Sequence, residues 1–312
     1  MVSEYVRTAL FSRNQPGGVF TVNDLVEHPG NIFFVDSGET VNGADSAGFG
    51  RSPDSPFLTL DYAIAYCTAN NGDVIYCMPG HAENLAADSA VDVDVIGVKI
   101  VGLGFGASRP TFTATAIAGD FKLAAASGYI ENLLFLSGVD ATTGLLEITG
   151  ADCTVKNCEF RDSVDQATDM LITVNNSDRL LIDSCTFIMA AAGGANSAIA
   201  LVGSDDAEIR DCEIYGNFAV GAIDLRTTAS ARVDIHDCQI WTANAADIAI
   251  VDTITASTGF VGPNLRIMLA DNAANITTAV TGATFQMMDP VYICNLAGEK
   301  AMLSNWTAST HA

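Results

Sequence analysis

Four cysteines, Cys158, Cys185, Cys212 and Cys238, recur at intervals of 27, 27 and 26 residues, each inside the same short phrase. The phrases are Val155-Lys-Asn-Cys-Glu-Phe160, Ile182-Asp-Ser-Cys-Thr-Phe187, Ile209-Arg-Asp-Cys-Glu-Ile214 and Ile235-His-Asp-Cys-Gln-Ile240. A period of this length implies a stack of like units, each burying its apolar face against its neighbours. Within each phrase the apolar residue and the cysteine are three apart, so one straight strand would turn them to opposite faces. The Asn, Ser or Asp between them therefore marks a bend, at a residue type that tolerates left-handed backbone. Beyond the bend, the cysteine and the Phe or Ile two residues later point inward together. Strand, one-residue corner, strand, repeated every 26–27 residues, predicts an all-β chain coiled as a right-handed parallel β-helix.

A second strand set keeps the same beat: Leu145–Thr149, Met170–Val174, Ala198–Val202, Ala222–Leu225 and Ile248–Val251. Weaker coils precede them around Val98–Val101 and Tyr129–Phe135. From Gly72 to Met268 the chain has room for about seven coils, a rod roughly 35 Å tall at about 4.8 Å per strand. No 3.6-residue stripe accompanies the repeat, which argues against a helical solenoid.

The composition suits a well-packed chain, with 49% hydrophobic and 16% charged residues. No apolar run is long enough to span a bilayer, so no membrane contact is expected. The opening Met-Val-Ser-Glu-Tyr-Val-Arg has neither the basic nor the apolar region of a secretory signal. The eight cysteines are accordingly expected as reduced thiols. Metal sites favour close Cys pairs, whereas these thiols fall one per coil, so the column reads as small core residues. No metal, redox centre or cofactor is assigned. A net charge of −23, with the basic residues scattered singly, excludes a nucleic-acid partner, which needs a basic stripe.

Four segments follow. Residues 1–30 form an irregular arm with turn signals at Gln15-Pro-Gly-Gly18 and His28-Pro-Gly30. Its apolar side chains, among them Tyr5, Leu10, Phe11 and Phe20, have no core of their own and call for a partner. Residues 31–71 are an N-terminal cap with a short helix expected over Leu60–Ala69, residues 72–268 the β-helix, and residues 269–312 a closing cap or interface segment. A terminal unit must differ from the repeat, because a bare last coil presents an unpaired edge.

The cap carries the most distinctive text: the strand Ile32–Asp36, a Gly/Ser/Asp loop, Ser52-Pro-Asp-Ser-Pro-Phe-Leu-Thr59, then Gly72-Asp-Val-Ile-Tyr-Cys-Met-Pro-Gly80. This string resembles the N-terminal cap of pectate-lyase-like parallel β-helix proteins over about 50 residues. The version with a long arm and Ala/Asp/Thr-rich coils resembles β-helix proteins encoded by tailed bacteriophages, which serve as tailspikes, fibres or head-decoration proteins, commonly as trimers. The resemblance implies a non-enzymatic virion protein: a homotrimer decorating the capsid, assembled in the host cytoplasm and joined to capsid or other virion proteins through residues 1–30. The alternatives are a tailspike-type polysaccharide depolymerase, or a receptor-binding fibre module.

A depolymerase of the hydrolase kind needs carboxylates facing each other across one groove. Asp205-Asp206 is the one adjacent acidic pair in the regular coils, in a Gly-Ser-Asp-Asp turn that reads as solvated. Asp224 lies mid-strand, about three repeats and roughly 14 Å from Glu147, too far for direct cooperation. Arg226 stands near Asp224 as a candidate partner for an acidic sugar. His236 occupies the place of Lys156, Asp183 and Arg210 in other coils, which marks a solvent-facing position; His81, after the cap turn, reads as structural. Tyr215 and Trp241 follow inward residues directly and so point outward on adjacent coils. They form a contact patch, read first as a protein contact and second as a sugar platform.

Overall fold

The computed structural model describes residues 13–15, 18–20, 30–162, 168–189, 195–243, 248–254, 256–269, 279–281, 284–296, 298 and 300–303. Tyr5, Leu10, Phe11 and Trp306 lie outside the described residues. The arm is not wholly irregular: Arg13–Gln15 pairs antiparallel with Gly18–Phe20, two strands that flank a Pro-Gly pair suited to a turn.

The rest is a right-handed parallel β-helix built from three long sheets. The first has ten strands, from Ile32–Val35 through Thr154–Lys156 and Leu181–Asp183 to Phe285–Met287. The second also has ten, from Ala82–Leu85 through Glu213–Gly216 and Gln239–Thr242 to Val291–Asn295 and Lys300–Leu303. The third has eight, from Val91–Val93 through Leu146–Ile148 and Ile223–Leu225 to Val280–Thr281. Each turn of the coil adds one strand to each sheet.

Parallel pairing in strict register stacks like on like. In the second sheet Phe112, Phe135, Phe160 and Phe187 pair in sequence, and the last three rings lie 4.9 and 5.0 Å apart at 8°. In the first sheet Ile130, Val155, Ile182, Ile209 and Ile235 make the facing column. All are fully buried. Cys158, Cys185, Cys212 and Cys238 are buried free thiols beside these columns. Burial pushes the Cys185 thiol well above its ordinary pKa.

Among the described residues the stack has eight complete turns rather than about seven. The eighth comprises Gly259–Val261, Leu265–Leu269 and Val280–Thr281, in register with the seventh. Its corner, Asn264, has φ 55° like the others, but Leu265 replaces the cysteine and one extra residue precedes it. Those two changes hide the turn from a search on the cysteine phrase.

The helix spans Leu60–Ile64, shorter than the expected Leu60–Ala69. The Leu58 and Thr59 amides donate to Asp45 Oδ1, and the Leu60 amide to Glu83 Oε1 at 2.6 Å, satisfying donors that a helix start leaves open. Thr68 N–H turns away to Asp73 Oδ2 at 2.6 Å, committing the chain to its first full strand. Leu60, Ala63 and Ile64 are buried, and the helix packs against Val74–Cys77 and Val91–Val93 of the first coil.

Candidate functional site

Two columns of left-handed residues flank the first sheet. Asn132, Asn157, Ser184, Asp211, Asp237 and Asn264 follow its strands, and Ser127, Asp152, Arg179, Asp206 and Arg232 precede them, all with φ between 51 and 59°. Asn, Asp and Ser tolerate this backbone through their short polar side chains. Arg179 and Arg232 do not share that property, but each reaches the aspartate one coil back. Arg179 grips both oxygens of Asp152 at 2.5 and 2.8 Å, and Arg232 both oxygens of Asp206 at 2.5 and 2.7 Å. The guanidinium bonds hold both carboxylates below their ordinary pKa.

Asp205 belongs to the same turn. Its Oδ1 accepts the Ala231 N–H at 2.8 Å, and its own N–H donates to Asp178 Oδ1 at 3.0 Å. Beneath runs a buried serine column that the sequence reading missed: Ser177 N–H donates to Ser204 Oγ, Ser204 N–H to Ser230 Oγ, and Ser230 N–H to Ser257 Oγ, at 3.0–3.2 Å. Its signal was present as intervals of 27, 26 and 27 residues. Asp205 and Asp206 are therefore tied into the corner rather than aimed across a groove.

Asp224 is different. The register Glu147, Thr173, Ala200, Asp224 sets it three strands from Glu147 on one face of the third sheet. It is fully buried, Arg226 Nε stands 3.4 Å from its Oδ2, and neither oxygen has a hydrogen-bond partner among the described residues. Burial raises its pKa, Arg226 opposes that and nearby Asp252 adds to it. Glu147 is engaged elsewhere, with Lys122 at 2.7 Å and the Asn175 amide at 3.0 Å.

The column of Lys156, Asp183, Arg210 and His236 corrects the expectation of a freely solvated position. Asp183 is only 5% exposed, because Ser184, Arg210 and Lys156 close over it at 2.8, 3.2 and 3.5 Å. Burial works against its charge, but these three partners outweigh it and hold the carboxyl below its ordinary range. His236 bridges Asp237 at 2.6 Å and Glu208 at 3.3 Å; burial disfavours its charge, yet the two carboxylates raise its pKa. His81 is buried in the cap, where Nδ1 accepts the Ser37 N–H at 3.0 Å and Nε2 donates to Glu83 at 2.8 Å.

The second sheet presents an exposed aromatic pair. Tyr215 and Trp241 pair across adjacent strands with ring centroids 6.2 Å apart at 87°, and Gln239 Nε2 donates to the Tyr215 hydroxyl at 2.9 Å. Trp241 is 44% exposed. Two strands further, Tyr292 is 47% exposed, with Arg266 between them in the register Gln239, Arg266, Tyr292. Trp241, Met268, Tyr292 and Cys294 line a cleft of about 350 Å³. Gln239, Arg266 and Tyr292 connect it to a second cleft of about 540 Å³, bordered by Asp211, Glu213, Asp237 and Asn264. Tyr292 and Arg266 escaped the sequence reading because they lie in coils without the cysteine phrase. Among the described residues no group of three or more His, Cys, Asp or Glu is placed to hold a metal ion.

A family model for the right-handed β-helix region matches residues 123–259. Among solved structures, a rhamnogalacturonan lyase is similar at 12% identity and a TM-score of 0.52, over 89% of this chain and 85% of the lyase. At that identity the likeness shows the fold alone. ORF18 of Geobacillus virus E2 aligns at 12% identity and a TM-score of 0.32, over 91% of this chain and 67% of the viral one. No curated protein matches the chain.

Proposed function

We propose that this right-handed parallel β-helix is a non-enzymatic structural protein of a bacteriophage particle, attached through residues 1–30 with the coil displayed outward. The observation that carries the reading is the use made of the candidate carboxylates. Asp206 is gripped by Arg232 through both its oxygens, and Asp205 holds the Ala231 amide. Asp224 has no surface from which to reach a substrate. A glycoside hydrolase keeps its acid and base at the wall of one open groove, about 5–9.5 Å apart. The cap and arm resemblance supplies the phage setting, with a trimer decorating the capsid as its specific form. The acidic body repels its own copies at long range, which leaves the nearly neutral arm as the segment best suited to attachment.

Two measurements test this. Purified protein incubated with capsule, lipopolysaccharide and pectin-like polymers is expected to release neither reducing ends nor unsaturated sugars. Turnover that disappears in Asp205→Asn, Asp206→Asn or Asp224→Asn variants would replace this reading with a depolymerase. Deleting residues 1–28 is expected to leave a soluble coil that no longer joins particles, and normal decoration by the truncated protein would sink the anchoring role.

A further inference from the structure

We propose that the joined clefts on the second sheet bind a neutral glycan, a ligand held by the rod and not cut by it. The two volumes, about 350 and 540 Å³, fall in the range of small-molecule sites, which run from about 300 to 1,000 Å³. Their linings divide as a pyranose does. Trp241 and Tyr292 offer half-exposed aromatic faces to the C–H face of a sugar ring, and Tyr215, set edge-on, fixes the Trp241 ring in place. The second cleft offers what hydroxyls need: carboxylates of Asp211 and Glu213 to accept, amides of Gln239 and Asn264 to do both, and the Arg266 guanidinium to donate, while Asp237 is held by His236 and Asn264.

Charge narrows the ligand. One cation stands against three carboxylates in the lining, on a chain of net charge −23. A polyanion, whether polyuronate or nucleic acid, is repelled from such a surface, whereas a neutral sugar is not. A peptide or a second copy of this chain would cover the apolar cleft equally well. Asp237 is already held by His236 and the Asn264 amide. Such a partner would, however, also bury the Asp211 and Glu213 carboxylates with the Arg266 guanidinium as the one cation in the lining, which is costly without further partners. Hydroxyl groups satisfy those acceptors one by one. The site shares no residue with the Asp206–Arg232 corner or with Asp224.

The chain has two tryptophans, so Trp306→Phe leaves Trp241 as the one fluorescent indole. This variant is to be titrated with maltohexaose, cellohexaose, mannohexaose and an oligogalacturonate, with sedimentation velocity run in parallel. At least one neutral oligomer is expected to give a saturable change in Trp241 emission, and the oligogalacturonate none. Arg266→Ala and Tyr292→Ala, added singly, are expected to weaken binding at least about tenfold with the melting temperature unchanged, as suits outward side chains. The proposal fails if no neutral oligomer gives saturation, if binding survives Tyr292→Ala undiminished, or if the oligogalacturonate binds best. It also fails if Tyr292→Ala converts an oligomer to monomer with no glycan response in either protein, which would assign the face to self-contact.

Discussion

Asp224 carries a carboxylate where no water reaches it, and its pKa is raised by that burial. Its unfolded value is about 3.9. Between that and the raised value, the folded chain keeps a proton the unfolded chain has released, so stability falls as pH rises through the window. Asp224→Asn removes this loss. The variant is expected to be more stable than the parent at pH 8 and to match it near pH 3, read from urea midpoints at both pH values. A variant weaker than the parent at pH 8 would mean that the Arg226 pair outweighs the burial. The cysteine column makes the opposite demand. Cys185→Asp places a charge between stacked coils and is expected to abolish folding, whereas Cys185→Ala costs about 1–2 kcal/mol as a change of core volume. Rapid labelling of the four column thiols by an aromatic disulfide in the native protein would contradict their burial.

The corner between the third and first sheets shows how an element is held from outside its own strands. Ser204 Oγ accepts the Ser177 N–H, and Ser230 Oγ the Ser204 N–H, so each turn is closed by the next one. Ser204→Ala leaves the Ser177 amide buried without an acceptor and is expected to cost about 1–3 kcal/mol. Hydrogen exchange should report it as selective loss of protection at Ser177; unchanged protection there would show that the serine column does not hold the turn. This column also measures what the sequence discloses. The cysteine phrase was legible because an apolar residue three before a buried cysteine forces a bend, and Asn157, Ser184, Asp211 and Asp237 take left-handed φ as that argument requires. The serines recur with nearly the same period, but Ser is common in turns and no apolar neighbour marks which ones point inward. The Arg–Asp rungs were illegible for another reason: Arg179 and Arg232 occupy a backbone conformation that arginine seldom adopts. Their pairing appears only when coils are set one above another. Tyr292 and Arg266 joined Trp241 only through a register that crosses the irregular eighth turn.

At the scale of the whole molecule the rod depends on its ends. Phe57 is fully buried, its rings of contact are Tyr66 at 5.0 Å, Tyr62 at 5.2 Å and Phe33 at 6.0 Å, and its N–H donates to Phe34 O on the first strand. Phe57→Ala is expected to cost about 3–5 kcal/mol locally, loosening the cap before the coils. Because the first strand then offers unpaired backbone, the variant should form soluble oligomers by light scattering while far-ultraviolet circular dichroism stays β-rich. A variant that remains monodisperse would show that the cap is not what shields this end. The far end differs: there Lys300–Leu303 runs antiparallel to Val291–Asn295 after a sheet of wholly parallel neighbours. Reversal of one strand gives the particle a head and a tail that do not match. A parallel stack left open is a growing filament, its length set by supply. With a folded lid below and a backward strand ending the second sheet above, this stack presents unlike surfaces at its two ends, so end-to-end growth cannot repeat its own pairing on that sheet.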